Sequence, residues 1–137
     1  MQDLKEKSKS WHEAFGTDRI ESAYEKYLGK EFRALFFGHG WVDKDAYMKG
    51  DQEFARSFED ISMTVEDMAQ EGDTVFCRMK WSGRNTGDVL GIEASGKSFE
   101  VIGFCQDKYK DGMVVEHIAL FDTDALKAQL KGIEGAA

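Results

Sequence analysis

Proline is absent from the 137-residue sequence, and cysteine and histidine are scarce, with two and three copies. Without proline, the turns must be built from glycine, aspartate, asparagine and serine. Cys77 and Cys105 lie in apolar stretches, which favours buried free thiols over a disulfide. No histidines and carboxylates stand at metal-ligand spacing, so the sequence predicts no metal site.

Long apolar runs and positive charge are also in short supply. The longest apolar runs, such as residues 34–37, are too short to span a bilayer, and the N-terminus lacks the apolar segment of a signal peptide. We therefore expect a cytoplasmic protein with no membrane partner. Lys and Arg total 18 against 26 Asp and Glu, a formal net charge of −8. Such a surface repels phosphate backbones, so nucleic acid is not an expected partner.

The sequence contains no glycine-rich phosphate loop after a strand and no serine nucleophile elbow. A nucleotide is therefore not implied, and we expect no cofactor. Hydrophobic residues make up 42% and charged residues 32% of the chain, which is ordinary for a globular protein. The length suits one domain covering residues 1–137.

The periodicity of apolar residues predicts helices first and strands afterwards. Helical spacing covers residues 4–15, 18–28 and 43–58, with Asp43 as the N-cap of the third helix and a short strand at 31–37 before it. After Asp60 the period changes to two, and turn residues separate strands that continue to residue 121, before a last helix capped at 122–124. This order predicts an α+β fold: a curved antiparallel sheet, shaped like a cone, with the N-terminal helices on its concave face around a pocket.

Three segments resemble motifs of a known family. Residues 58–68 (FEDISMTVEDM) resemble its phenylalanine–proline–aspartate motif, residues 86–97 resemble its loop motif, and residues 111–117 (DGMVVEH) followed by Phe121-Asp122 resemble its last strand. The family is that of the SnoaL-like polyketide cyclases, within the nuclear transport factor two-like (cystatin-like) superfamily. The resemblance implies a cone-shaped pocket protein, although this fold hosts cyclases, isomerases, dehydratases and plain binding domains alike.

Two departures from the family pattern bear on catalysis. Ile118 replaces a tryptophan that usually follows the glutamate–histidine pair. The strand around residues 105–107 lacks the histidine expected to assist the catalytic carboxylate.

The resemblance implies two catalytic positions. Asp122 matches the acid/base aspartate, which would exchange a proton with a carbon next to a carbonyl. The same residue stands where the last helix needs an N-cap, so capping alone is an equal alternative. His39, between glycines, matches a polar residue at the pocket rim, and the alternative is a solvated loop histidine.

Further residues are predicted to bind the substrate. Trp41, Trp81, Met63, Phe104 and Ile118 would line an apolar cavity, although each taken singly is more typical of the core. Gln106 or a water would donate a hydrogen bond to a developing enolate.

The remaining histidines are interpreted as non-catalytic. In a regular strand His117 and Asp122 face opposite sides, which favours the outer face of the sheet, or a dimer contact, for His117. His12, on the first helix, is interpreted as a surface residue.

Three functions therefore remain open. The chain is a cofactor-free cyclase or isomerase acting on a small apolar carbonyl compound, a module that binds a small apolar or aromatic molecule without turnover, or an interaction domain. We also expect a homodimer formed through the convex face of the sheet, which is predicted to carry Phe76, Val115 and Phe121.

Overall fold

The computed structural model describes residues 3–36 and 40–132. This part of the chain forms the helices α1 (Lys5–Glu13), α2 (Ile20–Tyr27), α3 (Lys44–Ala55) and α4 (Thr123–Lys131), and the strands β1 (Leu28–Phe36), β2 (Trp41–Asp43), β3 (Phe58–Glu71), β4 (Thr74–Asn85), β5 (Ser98–Lys110) and β6 (Met113–Phe121). None of the described helices is long and apolar enough to cross a bilayer.

The six strands form one sheet in the order β2-β1-β6-β5-β4-β3. β3 to β6 make an antiparallel meander, as predicted, but β1 pairs with β6 in parallel. A parallel pair needs a long connection, and the whole meander supplies it here. The sheet is therefore mixed rather than purely antiparallel, while the α+β cone with helices on one face is confirmed.

Alternation along the central strands separates a face toward the helices from a face toward solvent. On β4 the inward residues are Val75, Cys77, Met79 and Trp81, as predicted from the sequence. On β5 every second residue from Phe99 to Tyr109 is buried, and the set includes one charged residue, Asp107. The inward face of β5 is thus the place where a polar group enters the core.

Several element boundaries differ from those predicted. α2 begins at Ile20 without a side-chain cap and ends at Tyr27, and Gly29 lies inside β1 instead of ending the helix. A Cβ on Gly29 would lie 3.3 Å from the carbonyl oxygen of Val114, so glycine lets β1 approach β6 closely. α3 ends at Ala55, and Phe58 opens β3 instead of closing the helix. The predicted cap of α3 is confirmed, since Asp43 Oδ1 accepts from the amide of Ala46 at 2.9 Å.

Candidate active site

A cavity of about 380 Å³ lies between the concave face of the sheet and the helices. Its wall is almost entirely apolar and aromatic, and the main polar groups on it are two imidazoles, a phenol and a carboxylate. The residues that line it include Trp11, His12, Tyr47, Asp51, Trp81 and His117. A pocket of this size and character is typical of small-molecule sites.

The buried carboxylate of Asp107 joins the two imidazoles. His12 Nε2 lies 2.6 Å from Asp107 Oδ2, and His117 Nδ1 lies 2.7 Å from Asp107 Oδ1. The Ser8 hydroxyl donates to Asp107 Oδ2 at 2.8 Å. Asp107 is fully buried, and His12 and His117 are 4% and 3% exposed. Three side chains from two other elements therefore converge on one carboxylate.

The direction of each hydrogen bond follows from the charge on Asp107. Burial would raise the pKa of this carboxyl, but the charge on His12 and the hydrogen bonds from both histidines outweigh burial and hold the pKa well below its usual range. An ionised carboxylate only accepts, so His12 must donate from Nε2 and His117 from Nδ1. Because Ser8 gives its proton to Asp107, the Tyr109 hydroxyl, 2.7 Å away, must donate to Ser8. Each imidazole therefore has one ring nitrogen that donates to Asp107.

Helix α1 brings Ser8 and His12 to the carboxylate because residues four apart share a helix face. The helix is fixed over the sheet at both ends. Lys7 Nζ donates to the carbonyl of Gly112 at 2.9 Å, and Glu13 Oε2 accepts from the amide of Val65 at 2.9 Å. The position of His12 therefore depends on contacts with two hairpins of the sheet.

Aromatic rings enclose the imidazoles. The Trp11 ring lies 4.1 Å from that of His12 and 5.1 Å from that of His117, measured between centroids, and Tyr47 lies 5.7 Å from His117. Within the described residues, the buried indole N–H groups of Trp11 and Trp81 have no hydrogen-bond partner. Such enclosure excludes water and strengthens electrostatic interactions at the site.

A second group of rings forms the other end of the wall. Trp81 stacks on Phe54 with centroids 4.7 Å apart and contacts Phe121 at 4.3 Å. Phe121 lies over Gly103, where a Cβ would come within 2.2 Å of the phenylalanine ring. A glycine at position 103 is therefore what allows Phe121 to reach Trp81.

A carboxylate from α3 also reaches the cavity. Asp51 lines it, is partly buried, and accepts a short hydrogen bond from the Tyr24 hydroxyl on α2. Burial raises the pKa of the Asp51 carboxyl to about 6, against the opposing effects of the Tyr24 hydrogen bond and the charge of His117. The residue is thus poised to gain or lose a proton near neutral pH.

Two of the predicted substrate-binding residues, Trp81 and Met63, line the cavity. Their part in binding stays a prediction. His39 lies outside the described residues. Asp122 is the N-cap of α4, with Oδ1 accepting from the amide of Ala125 at 2.9 Å, and it is not among the residues that line the cavity. The predicted cap of α4 is confirmed, and the catalytic role of Asp122 stays a prediction.

Four predicted binding residues do not reach the cavity. Phe104 is 59% and Trp41 43% exposed, and the ring of Trp41 is covered by the Arg33 guanidinium at 4.0 Å. Gln106 and Ile118 are cross-strand partners on the same outward face as Phe104. Phe104, Gln106 and Ile118 were assigned to the wrong face, because a one-residue shift in the inward parity exchanges the two faces of a strand. Trp41 lies on β2, at the edge of the sheet. The parity shift also placed His117 outside, and His12 was interpreted as a surface residue of α1, although both are buried on the cavity wall.

One cluster of metal-ligand types occurs in the described part of the chain. Ligand atoms of His12, Cys77, Cys105 and Asp107 lie within 4.8 Å of one another. His12 Nε2 and Asp107 Oδ2 are only 2.6 Å apart, whereas ligand atoms around a tetrahedral zinc ion stand about 3.3 Å apart. The cluster is arranged as a hydrogen-bonded network, and a metal would have to open its shortest bond.

The fold and cavity define an α+β cone with an enclosed small-molecule pocket, and the sequence places it in a family. The SnoaL-like polyketide cyclases match residues 11–130, so the chain belongs to that family. No curated protein matches the chain.

Solved structures share the fold over nearly the whole chain. A protein from Jannaschia sp. CCS1 assigned to the SnoaL-like polyketide cyclases superposes with a TM-score of 0.85 at 21% identity, covering 95% of this chain and 97% of its own. IdmH of Streptomyces antibioticus, a candidate polyketide cyclase, superposes with a TM-score of 0.84 at 22% identity, covering 95% of this chain and 99% of its own. TsrD of Streptomyces laurentii superposes with a TM-score of 0.77 at 29% identity, covering 98% of this chain and 93% of its own.

Proposed function

We propose that this protein is a cofactor-independent enzyme that transfers a proton on a small apolar carbonyl compound, as a cyclase or isomerase. The observation that carries the proposal is the pair of imidazoles on the wall of an apolar cavity, both hydrogen-bonded to the buried carboxylate of Asp107. Membership of the polyketide cyclase family supports the same class of reaction.

The network favours a proton on the cavity side of an imidazole. When His117 carries a proton on both ring nitrogens, the negative charge of Asp107 stabilises the imidazolium, as in other carboxylate–histidine pairs. The imidazolium can donate to a carbonyl oxygen in the cavity and stabilise the charge that develops there as a neighbouring C–H bond breaks. The apolar wall strengthens that interaction because little water competes for it.

Binding without turnover is the second candidate. The specific observation in its favour is that Asp122, the acid/base position implied by family resemblance, is engaged as a helix cap. The same cavity would then hold an apolar or aromatic molecule through its rings alone.

Hydrogen–deuterium exchange separates the two candidates. α-Tetralone, a bicyclic aromatic ketone with exchangeable hydrogens on the carbon next to its carbonyl, is incubated with the protein in D₂O. Loss of that methylene signal is followed by ¹H NMR. Binding is followed in a separate sample in H₂O through the indole N–H signals of Trp11 and Trp81. We expect exchange well above the buffer rate, and a loss of about a hundredfold or more in His117→Gln.

The matched control is Gln106→Asn, because Gln106 lies on the adjacent strand with its side chain on the opposite face. This variant should exchange at the wild-type rate. Binding of α-tetralone without any exchange above the buffer rate would reject the enzyme and leave the binding module.

We further propose that the outer face of the sheet forms a homodimer. The large apolar residues Phe76, Ile102, Phe104 and Leu120 are 46–63% exposed there, and Phe104 pairs directly with Leu120 across β5 and β6. Phe121, expected on this face, packs inside instead. Light scattering should give twice the chain mass, whereas a monomer at tens of micromolar would contradict the proposal.

A further inference from the structure

Asp51 stands where α3 turns its apolar face toward the cavity. Tyr47, Asp51 and Phe54 follow one another at helical spacing, and all three line the cavity wall. Burying an ionisable side chain in such a row costs stability unless the side chain is hydrogen-bonded or paired. The Tyr24 hydroxyl from α2 donates to Asp51 Oδ2 and fixes one side of the carboxylate.

Among the residues that the structure describes, the charged and titratable groups around Asp51 in the cavity come from three elements. Tyr24 faces it from α2, His117 from β6, and Tyr47 from its own helix. Burial raises the pKa of both tyrosines well above its ordinary value, so each is a neutral phenol at neutral pH. His117 is therefore the group of opposite charge that faces Asp51, and the carboxylate and the imidazole are available as an acid–base pair.

Asp51 also borders a cleft on the outside of the protein. Phe15, Ile20 and Asp51 line both the cavity and this cleft, which lies between α2 and α3 and includes Arg56. A carboxyl group at this boundary can exchange its proton with solvent after it has received one inside the cavity. Exchange of the substrate hydrogen with solvent requires such a route.

We infer that Asp51 is the general base of the cavity, held in place by Tyr24, and that it takes the proton from the carbon next to the substrate carbonyl. The inference rests on the proposed function and adds the group that the imidazoles do not supply. The substrate class is an apolar ketone whose carbonyl oxygen points to His117 and whose adjacent C–H points to α3.

Proton transfer to Asp51 makes and breaks the following bonds. The Asp51 carboxylate forms an O–H bond with the substrate hydrogen, and the electrons of the broken C–H bond form the enolate C=C bond. The carbonyl oxygen takes up the negative charge and accepts a hydrogen bond or the proton itself from the His117 imidazolium. In an isomerase, Asp51 returns its proton to another carbon. In a cyclase, the enolate carbon bonds to a second carbonyl carbon while the first C=O bond re-forms and returns any borrowed proton to His117. The second carbonyl oxygen, whose π bond breaks, takes up the proton that Asp51 gives up, directly or through solvent in the cleft.

The test compares exchange and binding of α-tetralone in three variants and the wild type. Asp51→Asn keeps the volume and the hydrogen-bond acceptor for Tyr24 but cannot take a proton. Tyr24→Phe removes only the hydrogen bond, and Asp45→Asn makes the same chemical change at an exposed position on the same helix. Thermal unfolding confirms that each variant is folded, and Asp51→Glu, which keeps a carboxylate, replaces Asp51→Asn if that variant does not fold.

We expect Asp51→Asn to lose about a hundredfold to ten-thousandfold of the exchange rate with a Kd within about threefold of wild type. Asp51→Glu should bind α-tetralone as tightly and exchange it more slowly than wild type, because the base is displaced by one methylene. Asp45→Asn should behave as wild type in both measurements.

The pH dependence of the exchange rate is a further test, because it would not change if Asp51 had only a structural role. The wild-type rate should rise with pH around 6, as Asp51 ionises. In Tyr24→Phe this limb should move to higher pH, because the Tyr24 hydrogen bond is one of the effects that lower the pKa of Asp51.

The outcomes that overturn the inference are distinct from those that overturn the proposed function. Exchange at the wild-type rate in Asp51→Asn, or loss of binding together with exchange, would remove Asp51 as the base while leaving the enzyme intact. Wild-type protein that binds α-tetralone but never exchanges it would reject the proposed function and this inference with it.

Discussion

The two faces of strands β5 and β6 differ in a way that hydrophobicity would not suggest. The inward face carries a carboxylate and an imidazole, Asp107 and His117, both nearly inaccessible to solvent. The outward face carries Phe104 and Leu120, which are 59% and 63% exposed. The polar pair is satisfied inside because its members are cross-strand partners that hydrogen-bond to each other and to α1.

The comparison shows that a side chain on this sheet can be buried because it is hydrogen-bonded to another polar group, and not only because it is apolar. A buried charge is tolerated where hydrogen bonds and an opposite charge meet it, and an exposed apolar patch indicates a surface with another use. Paired substitutions at adjacent positions, one on each face, are the way to test this difference.

The largest effect is expected from Asp107→Asn, compared with Gln106→Asn beside it. The substitution removes the negative charge and turns an NH2 donor toward one of the two imidazoles, which for buried pairs costs about 3 to 5 kcal/mol of the free energy of unfolding. Gln106→Asn should change it by less than about 0.5 kcal/mol. Urea unfolding at neutral pH measures both, and equal small effects would contradict the buried network.

The cost of Asp107→Asn should also depend on pH. The folded pKa of Asp107 is lowered, so its stabilisation is present above the unfolded value near 3.8 and is lost as pH falls toward the folded value. The difference between wild type and Asp107→Asn should therefore shrink below about pH 4.

The next largest effect is expected from Gly103→Ala, compared with Ile102→Ala on the outward face. The added methyl would lie 2.2 Å from the Phe121 ring and would push it from its place against Trp81. Overpacking of this kind costs about 1 to 3 kcal/mol, and α-tetralone binding should weaken. Ile102 is 50% exposed, so its truncation should leave ligand affinity unchanged; weaker binding in Ile102→Ala alone would reverse the assignment of faces.

In contrast to the two substitutions above, Asp51→Asn is expected to increase the free energy of unfolding, by a moderate amount. The folded pKa is raised from 3.8 to about 6, so the contribution of Asp51 is fully favourable below pH 4 and is lost as pH rises through 6. The variant should gain about 1 to 2 kcal/mol in the free energy of unfolding at pH 7.5 and almost nothing at pH 4. Chemical denaturation at the two pH values checks this, and a pH-independent difference would contradict the raised pKa.

The smallest effect on folding is expected from Leu120→Lys on the outward face. Its side chain is already mostly in water, so the free energy of unfolding of the monomer should change by less than about 0.5 kcal/mol. Light scattering should instead show the dimer dissociating. A Leu120→Lys protein that keeps the wild-type mass would place the dimer contact elsewhere.

Much of the fold could be predicted from local patterns. The change from helical to alternating period at residue 60, the turns at 71–73 and 110–112, and the caps Asp43 and Asp122 all depend on short-range chemistry, and the structure contains them. The parallel pairing of β1 with β6 could not be predicted, because it joins segments about 80 residues apart and no local signal specifies it.

The site was only partly predictable for the same reason. Trp81 and Met63 were found because burial on their strands follows apolar alternation. Asp107 was missed although it shares the inward parity of Cys105, because no local signal pairs it with His12, which lies 95 residues away in the sequence.

The site residues on the helices were harder to identify from the sequence. Ser8 and His12 are four residues apart beside Trp11, and Asp51 stands four residues after Tyr47 and three before Phe54 on the apolar face of α3. A polar residue in an apolar helical row can indicate a site, but only the fold shows which carboxylate or imidazole it meets.

The most direct test of the central claim is the position of the protons on the imidazoles that face Asp107. With only three histidines in the chain, long-range ¹H–¹⁵N correlation NMR at a pH where the rings are neutral can assign each tautomer. The network requires His12 to carry its proton on Nε2 and His117 on Nδ1, and Asp107→Asn should disturb both signals. A His117 ring protonated on Nε2 and indifferent to Asp107→Asn would contradict a carboxylate that orients two imidazoles toward the cavity.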